Sequence, residues 1–107
     1  MQIRKTYKEV NPTILYNEIK ESVLRQGVTL DQNKLETYSM PTDSSTFIYR
    51  GTLTFKSEGQ EAIRAHIIGV DRGETKLILD SKDEIFPAEK LNALVDDLSF
   101  MLGSYEL

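Results

Sequence analysis

The stretch FIYRGTLTFKSEGQEAIRAHIIGVDRGETKLIL, Phe47 to Leu79, restricts the fold more than any other part of the chain. β-Branched and aromatic residues alternate with polar ones, and two short breaks interrupt them, SEG at 57–59 and DRG at 71–73. Each break ends on glycine. That form predicts a three-residue loop, a type I turn closed by a left-handed residue that makes a bulge. Two such loops make residues 47–81 a three-stranded antiparallel meander and set its register. One face then carries the rows Leu53–Ile63–Ser81, Gly51–Ala65–Leu79 and Tyr49–Ile67–Leu77. The other carries Thr52–Arg64–Asp80, Arg50–His66–Ile78 and Ile48–Ile68–Lys76. Since the side-chain period of a strand is two, a slip of one residue at Arg72-Gly73 would set Ile67 against Ile78 and mix the faces. The three-residue register keeps each strand to one consistent face.

The flanking segments complete an α+β chain of order β-α-β-β-β-β-α. QIRKTYKEV (2–10) reads as a strand. Asn11-Pro12 supplies an N-cap and a proline at the first helical position, where its missing N–H costs nothing. A helix is expected from Pro12 to about Gln26, with Gly27 as a left-handed stop, a buried stripe of Leu15, Ile19 and Val23, and a supporting Glu21–Arg25 pair. VTLDQN (28–33) reads as a connection, KLETYSM (34–40) as a strand and PTDSS (41–45) as a loop. The last helix starts near Pro87 and ends at Gly103. Its stripe is Leu91, Leu94, Val95, Leu98 and Leu102, with Phe100 and Met101 on the flanks. Both helices are expected on the apolar face of the sheet.

Composition sets limits on function. At 107 residues the chain fits one α+β domain, 1–107, burying about 65% of its unfolded surface. Without cysteine there is no disulfide, thiolate nucleophile or Cys-ligated metal. The opening MQIRKTYKEV has no apolar leader segment and no run has the length of a membrane span, so no membrane partner is expected and the compartment reads as cytoplasmic. The net charge of −4 opposes bulk attraction to nucleic acid.

The only histidine, His66, falls on the outer, mixed face beside Arg50, with Thr52 diagonal to it. Asp80 is expected to pair with Arg64 across the strands, which leaves the histidine no orienting carboxylate, and no cysteine exists for it to activate. A surface histidine is the simpler reading, and no catalytic residue is assigned. The carboxylates form no metal set: Asp96 and Asp97 diverge on a helix, Asp83 and Glu84 suit a helix start, and DQNKLE lacks the spacing of a calcium loop. GVDRGE lies at a hairpin tip and opens no helix, so it is no phosphate cradle, and no cofactor is expected. Arg50, Arg64, His66 and Lys76 would share one side with Arg4 and Lys8 if the first strand pairs in matching parity. A nucleic-acid contact there would lack stacking aromatics, because the tyrosine and phenylalanines of the third strand point the other way.

The outer face also carries Ile48, Ile68, Ile78 and Val70, more apolar surface than scattered exposure brings. The leading expectation is therefore a non-catalytic interaction module. Ile48, Arg50, Arg64, His66, Ile68 and Ile78 would contact a protein partner or a second copy. In element order the chain resembles the helix-grip layout of START-like and TATA-binding-protein-like groups. The resemblance implies a partner on the open sheet face or an apolar ligand between helix and sheet. On the second option Gly51 and Ala65 form a pocket floor, with Tyr49, Leu79 and Leu98 at its walls.

Overall fold

Asn11 and Pro12 start the first helix by the devices expected of them. In the computed structural model, which describes residues 1–70 and 73–107 apart from the side chains at 43 and 44, Asn11 is extended. Its Oδ1 accepts from the Thr13 N–H at 2.8 Å and the Ile14 N–H at 3.4 Å, satisfying two donors that have no partner within the helix. Helix α1 runs Pro12–Leu24. It stops two residues short of expectation because the Gln26 N–H bonds the Val23 carbonyl, three residues back, and Gly27 then turns left-handed at φ 90°. Arg25 donates to Ser22 Oγ at 3.0 Å and forms no pair with Glu21. Leu15, Ile19 and Val23 are fully buried as the stripe requires.

The strands are β1 (Gln2–Lys8), β2 (Thr29–Met40), β3 (Asp43–Ser57), β4 (Gln60–Val70) and β5 (Glu74–Ser81). They form one antiparallel sheet in the order β1-β5-β4-β3-β2. Helix α2 follows at Ala88–Leu102, with a 3₁₀ turn at Gly103–Tyr105. The expected element order therefore holds. Because β1 and β2 lie at opposite edges, α1 must cross the sheet between them. Its 13 residues span about 20 Å, close to the roughly 19 Å across five strands.

The meander keeps its faces but not all its rows. Between β4 and β5 the register is the expected one, with Ala65 opposite Leu79 and Ile67 opposite Leu77. Of the DRG loop between them, Asp71 and Arg72 lie outside the described residues. Between β3 and β4 the rows shift by two: Leu53 faces Ala65, Gly51 faces Ile67, Thr52 faces His66 and Arg50 faces Ile68. The cause is the first turn. SEG is not a three-residue loop, since Ser57 pairs with Gln60 and only Glu58 and Gly59 turn the chain. Their φ values of 52° and 80° are the pair of left-handed conformations of a two-residue hairpin, which glycine adopts freely and glutamate does not. One extra residue, Ala62, then bulges from β4, and its carbonyl accepts from the Lys82 N–H at 3.0 Å. Turn and bulge together move the register by two, an even number, so from Ile63 onward β4 keeps its faces, while before the bulge Glu61 comes to the outer face and Ala62 is buried in the core.

The segment 28–33 is not a connection. β2 begins at Thr29 and passes through a bulge at Asp31, where the Gln32 N–H donates to Thr54 Oγ1 at 3.1 Å and the Asp31 carboxylate meets Lys56 at 3.4 Å. Nor is 41–45 a loop, because Pro41 and Thr42 alone separate β2 from β3. The result is one long hairpin.

Both helices pack on the face bearing Tyr7, Leu53, Phe55, Ile63, Ala65, Ile67, Leu77 and Leu79. Leu15, Tyr16, Ile19 and Val23 come down from α1, and Leu91, Leu94 and Leu98 from α2. Each leucine, isoleucine, valine or phenylalanine among them contributes about 1.5–3 kcal/mol by leaving water. Leu102 is partly buried, while Phe100 on the α2 flank is almost wholly exposed.

Candidate protein interaction face

The helices leave the second face of the sheet bare, and pairing fixes what it displays. Four rows cross it. Gln2, Asp80, Arg64, Thr54 and Gln32 form the first, and Arg4, Ile78, His66, Thr52 and Lys34 the second. Thr6, Lys76, Ile68, Arg50 and Glu36 form the third. Lys8 beside Glu74 and Val70 beside Ile48 and Tyr38 make up the fourth. All six sequence-predicted contact residues, Ile48, Arg50, Arg64, His66, Ile68 and Ile78, share this face. Arg4 and Lys8 join them, because β1 pairs in the matching parity.

The apolar residues are not scattered. Ile78, Ile68, Val70, Ile48 and Tyr38 are diagonal or direct neighbours on successive strands, so they draw an oblique band from β5 to β2. Ile68 is 37% exposed and Tyr38 46%, with the other three half-buried. Cations flank the band. The four rows hold six basic residues, Arg4, Lys8, Lys34, Arg50, Arg64 and Lys76, against Glu36, Glu74 and Asp80, in a chain whose net charge is −4.

Two of these cations are engaged within the chain. Arg64 meets Glu61 at 2.7 Å, not Asp80 as expected, although Asp80 is its cross-strand neighbour. The bulge at Ala62 accounts for this, since it brings the start of β4 within reach of the guanidinium. Arg64, Asp80, Glu61, Ala62 and Lys82 line an open cavity of about 190 Å³ at this corner. Lys34 meets Glu36 at 3.5 Å. Arg4, Lys8, Arg50 and Lys76 make no ion pair among the described residues. The Tyr38 hydroxyl donates to Glu36 Oε2 at 2.5 Å, which holds that carboxyl below its usual range, with Lys34 and Arg50 adding to the effect. The same bond pushes the Tyr38 hydroxyl up.

His66 sits between Thr52 and Ile78, not beside Arg50, and makes no hydrogen bond among the described residues. No carboxylate shares its row to orient it. Among the described residues no three of His, Asp and Glu gather into a metal-binding group.

The other expected site is filled. Gly51 does approach α1 closely, but the Tyr16 ring lies directly over it. A Cβ at position 51 would stand 2.6 Å from Tyr16 Cδ2. Ala65, Leu79 and Leu98 are wholly buried in the core, and Tyr49 lies toward the exposed end of the hairpin. The glycine makes room for a side chain of this chain, and it faces Ile67, not Ala65, so the expected floor row does not form.

Sequence reasoning missed Tyr38. Its face depends on the pairing of β2, and the alternation in NKLETYS was the available signal. Comparisons with protein families, with curated proteins and with solved structures gave no match, so the helix-grip resemblance rests on element order alone. Among the described residues no helix is long and apolar enough to cross a membrane.

Proposed function

We propose that this protein is a non-catalytic interaction module whose bare sheet face takes an acidic, amphipathic helical segment of a partner protein. One observation carries the reading: an oblique apolar band flanked by four cations without ion pairs among the described residues, on a chain of net negative charge. The band crosses three strand spacings, roughly 15–20 Å measured obliquely, which matches three turns of helix. Apolar residues at helical spacing would cover Ile68, Ile78 and Ile48, and carboxylates beside them would meet Arg4, Arg50 and Lys76. A second copy laid face to face would bring two basic surfaces together. A nucleic acid would satisfy the cations but leave the aliphatic band without a base to stack on, Tyr38 excepted.

The test is a display selection of helical peptides on the wild type, followed by titration of the winners. Acidic amphipathic sequences should be enriched, and Ile68→Asp should weaken them by about ten- to a hundredfold, the cost of a central anchor. Enrichment of basic sequences, tighter binding to single-stranded DNA, or winners indifferent to Ile68→Asp and Arg50→Glu would each overturn the reading.

A further inference from the structure

The two edges of the sheet are not equivalent. Along β1 the chain covers its own edge: the Leu107 N–H donates to the Thr6 carbonyl at 2.7 Å, Glu106 bridges Tyr7, and Lys5 meets the Glu106 carboxylate at 2.8 Å. β2 has no such cover among the described residues. It ends the sheet as a strand of 12 residues with one row of backbone donors and acceptors facing outward, a standing template for pairing. Its distal half also lacks support. Leu35 and Phe47 point to the helix side, yet each is 37% exposed, because the β2–β3 hairpin runs past the helices. A two-stranded ribbon alone is marginally stable in water.

What fits this edge is written along it. Read outward from Leu35, the strand is chemically self-complementary. An antiparallel pairing of two copies symmetric about Leu35 sets Lys34 against Glu36 of the second copy, Glu36 against its Lys34, and Leu35 against its Leu35. Asn33 then meets Thr37 and Gln32 meets Tyr38, again across copies. A register symmetric about a single residue pairs positions of equal parity, so each side chain keeps its face. The two-fold axis stands normal to the sheet, and the interface is isologous.

We infer that β2 is the dimerisation edge of this protein, joining two copies into one continuous ten-stranded sheet through a pairing centred on Leu35. Charge complementarity decides the occupant. Offered to an unrelated strand, the edge leaves Lys34 and Glu36 only their own 3.5 Å contact within the chain. Offered to a second copy, it adds two ion pairs across the interface. This inference does not rest on the sheet-face reading, and its readout is mass in solution, with no peptide involved.

The experiment is sedimentation of three samples across a concentration series, with circular dichroism confirming that each is folded. Lys34→Glu and Glu36→Lys each turn both cross-copy ion pairs into like-charge pairs, so each variant alone should dimerise about tenfold or more weakly than the wild type. Mixed in equal amounts, the two variants restore both attractive pairs and should form a heterodimer close to wild-type strength. The rescue separates charge register from misfolding. A wild type that stays monomeric at about 100 µM, where even a weak dimer would show, overturns the inference. So do single variants that dimerise like the wild type, and so does a mixture that stays monomeric.

Discussion

Tyr7 carries a hydroxyl that the fold leaves without a partner. Its side chain is wholly buried, and the oxygen finds no hydrogen bond among the described residues. Burial, reinforced by the nearby Glu106 carboxylate, pushes its pKa from 10.0 to about 12. Replacing it with phenylalanine keeps the ring in the core and removes the orphaned group, so Tyr7→Phe should raise stability by about 1 kcal/mol near neutral pH in urea unfolding. The alkaline limb supplies the control. A phenol with a raised folded pKa favours the folded state in its protonated form. That contribution is complete below pH 10 and is lost as pH rises from 10 through 12. At roughly 1.4 kcal/mol per unit, the wild type should lose on the order of 2–3 kcal/mol from this group over that window. Tyr7→Phe should not show that component. Parallel alkaline curves for the two proteins would mean that the hydroxyl is hydrated in solution. Nothing in QIRKTYK marks this tyrosine as buried, because its inward direction is decided by pairing with Thr75 on a strand nearly seventy residues away.

At the scale of elements, Gly51 and Tyr16 show how a helix is seated on this sheet. The Tyr16 ring rests on the missing side chain of Gly51, and α1 comes close where β3 has no Cβ. Gly51→Ala adds one methyl 2.6 Å from a carbon of a buried ring, so it should cost about 1–3 kcal/mol, as overpacking does. A thermal-denaturation midpoint unchanged within a degree would show that α1 shifts freely. The glycine at 51 was visible in the sequence, but the small row Gly51–Ala65 does not form, because Gly51 faces Ile67, and its occupant was not legible, because Tyr16 lies off the Leu15–Ile19–Val23 stripe. The same division runs through the meander. Alternation assigned β3 from Phe47, β4 from Ile63 and β5 to their correct faces, since a period of two survives any even slip, but it misplaced Glu61 and Ala62 before the bulge. Row partners between β3 and β4 were not legible. They depend on whether glutamate at 58 accepts a left-handed backbone and on a bulge at Ala62 that no residue type announces. β2 was read too short because Asp31, Gln32 and Asn33 look like turn residues. A bulge bonded to Thr54 and Lys56 keeps them in the strand.

Over the whole molecule, charge and geometry act together. Net charge argued only against bulk attraction to nucleic acid, and the pairing of β1 with β5 then placed Arg4 and Lys8 on a locally basic face. Composition averages over two faces that topology separates, which is why the polar part of the candidate face was only half legible before pairing was known. Joining copies at β2 about an axis normal to the sheet leaves both outer faces on the same side, so their apolar bands lie on one continuous surface. A partner bearing two acidic helical segments on one chain would then meet two sites at once, and its second binding step would be intramolecular at an effective concentration near the millimolar range. A selected peptide written twice with a flexible linker should therefore bind the wild type about ten- to a hundredfold more tightly than its single form, as titration calorimetry would show. In Lys34→Glu the single-peptide affinity should hold within a few-fold, because Lys34 is already engaged by Glu36 and is not one of the cations offered to the peptide, while the gain from doubling should vanish. Equal gains in both proteins would trace the advantage to the peptide and not to paired faces. Added salt should weaken single and double forms alike, since both rely on exposed cations within reach of screening.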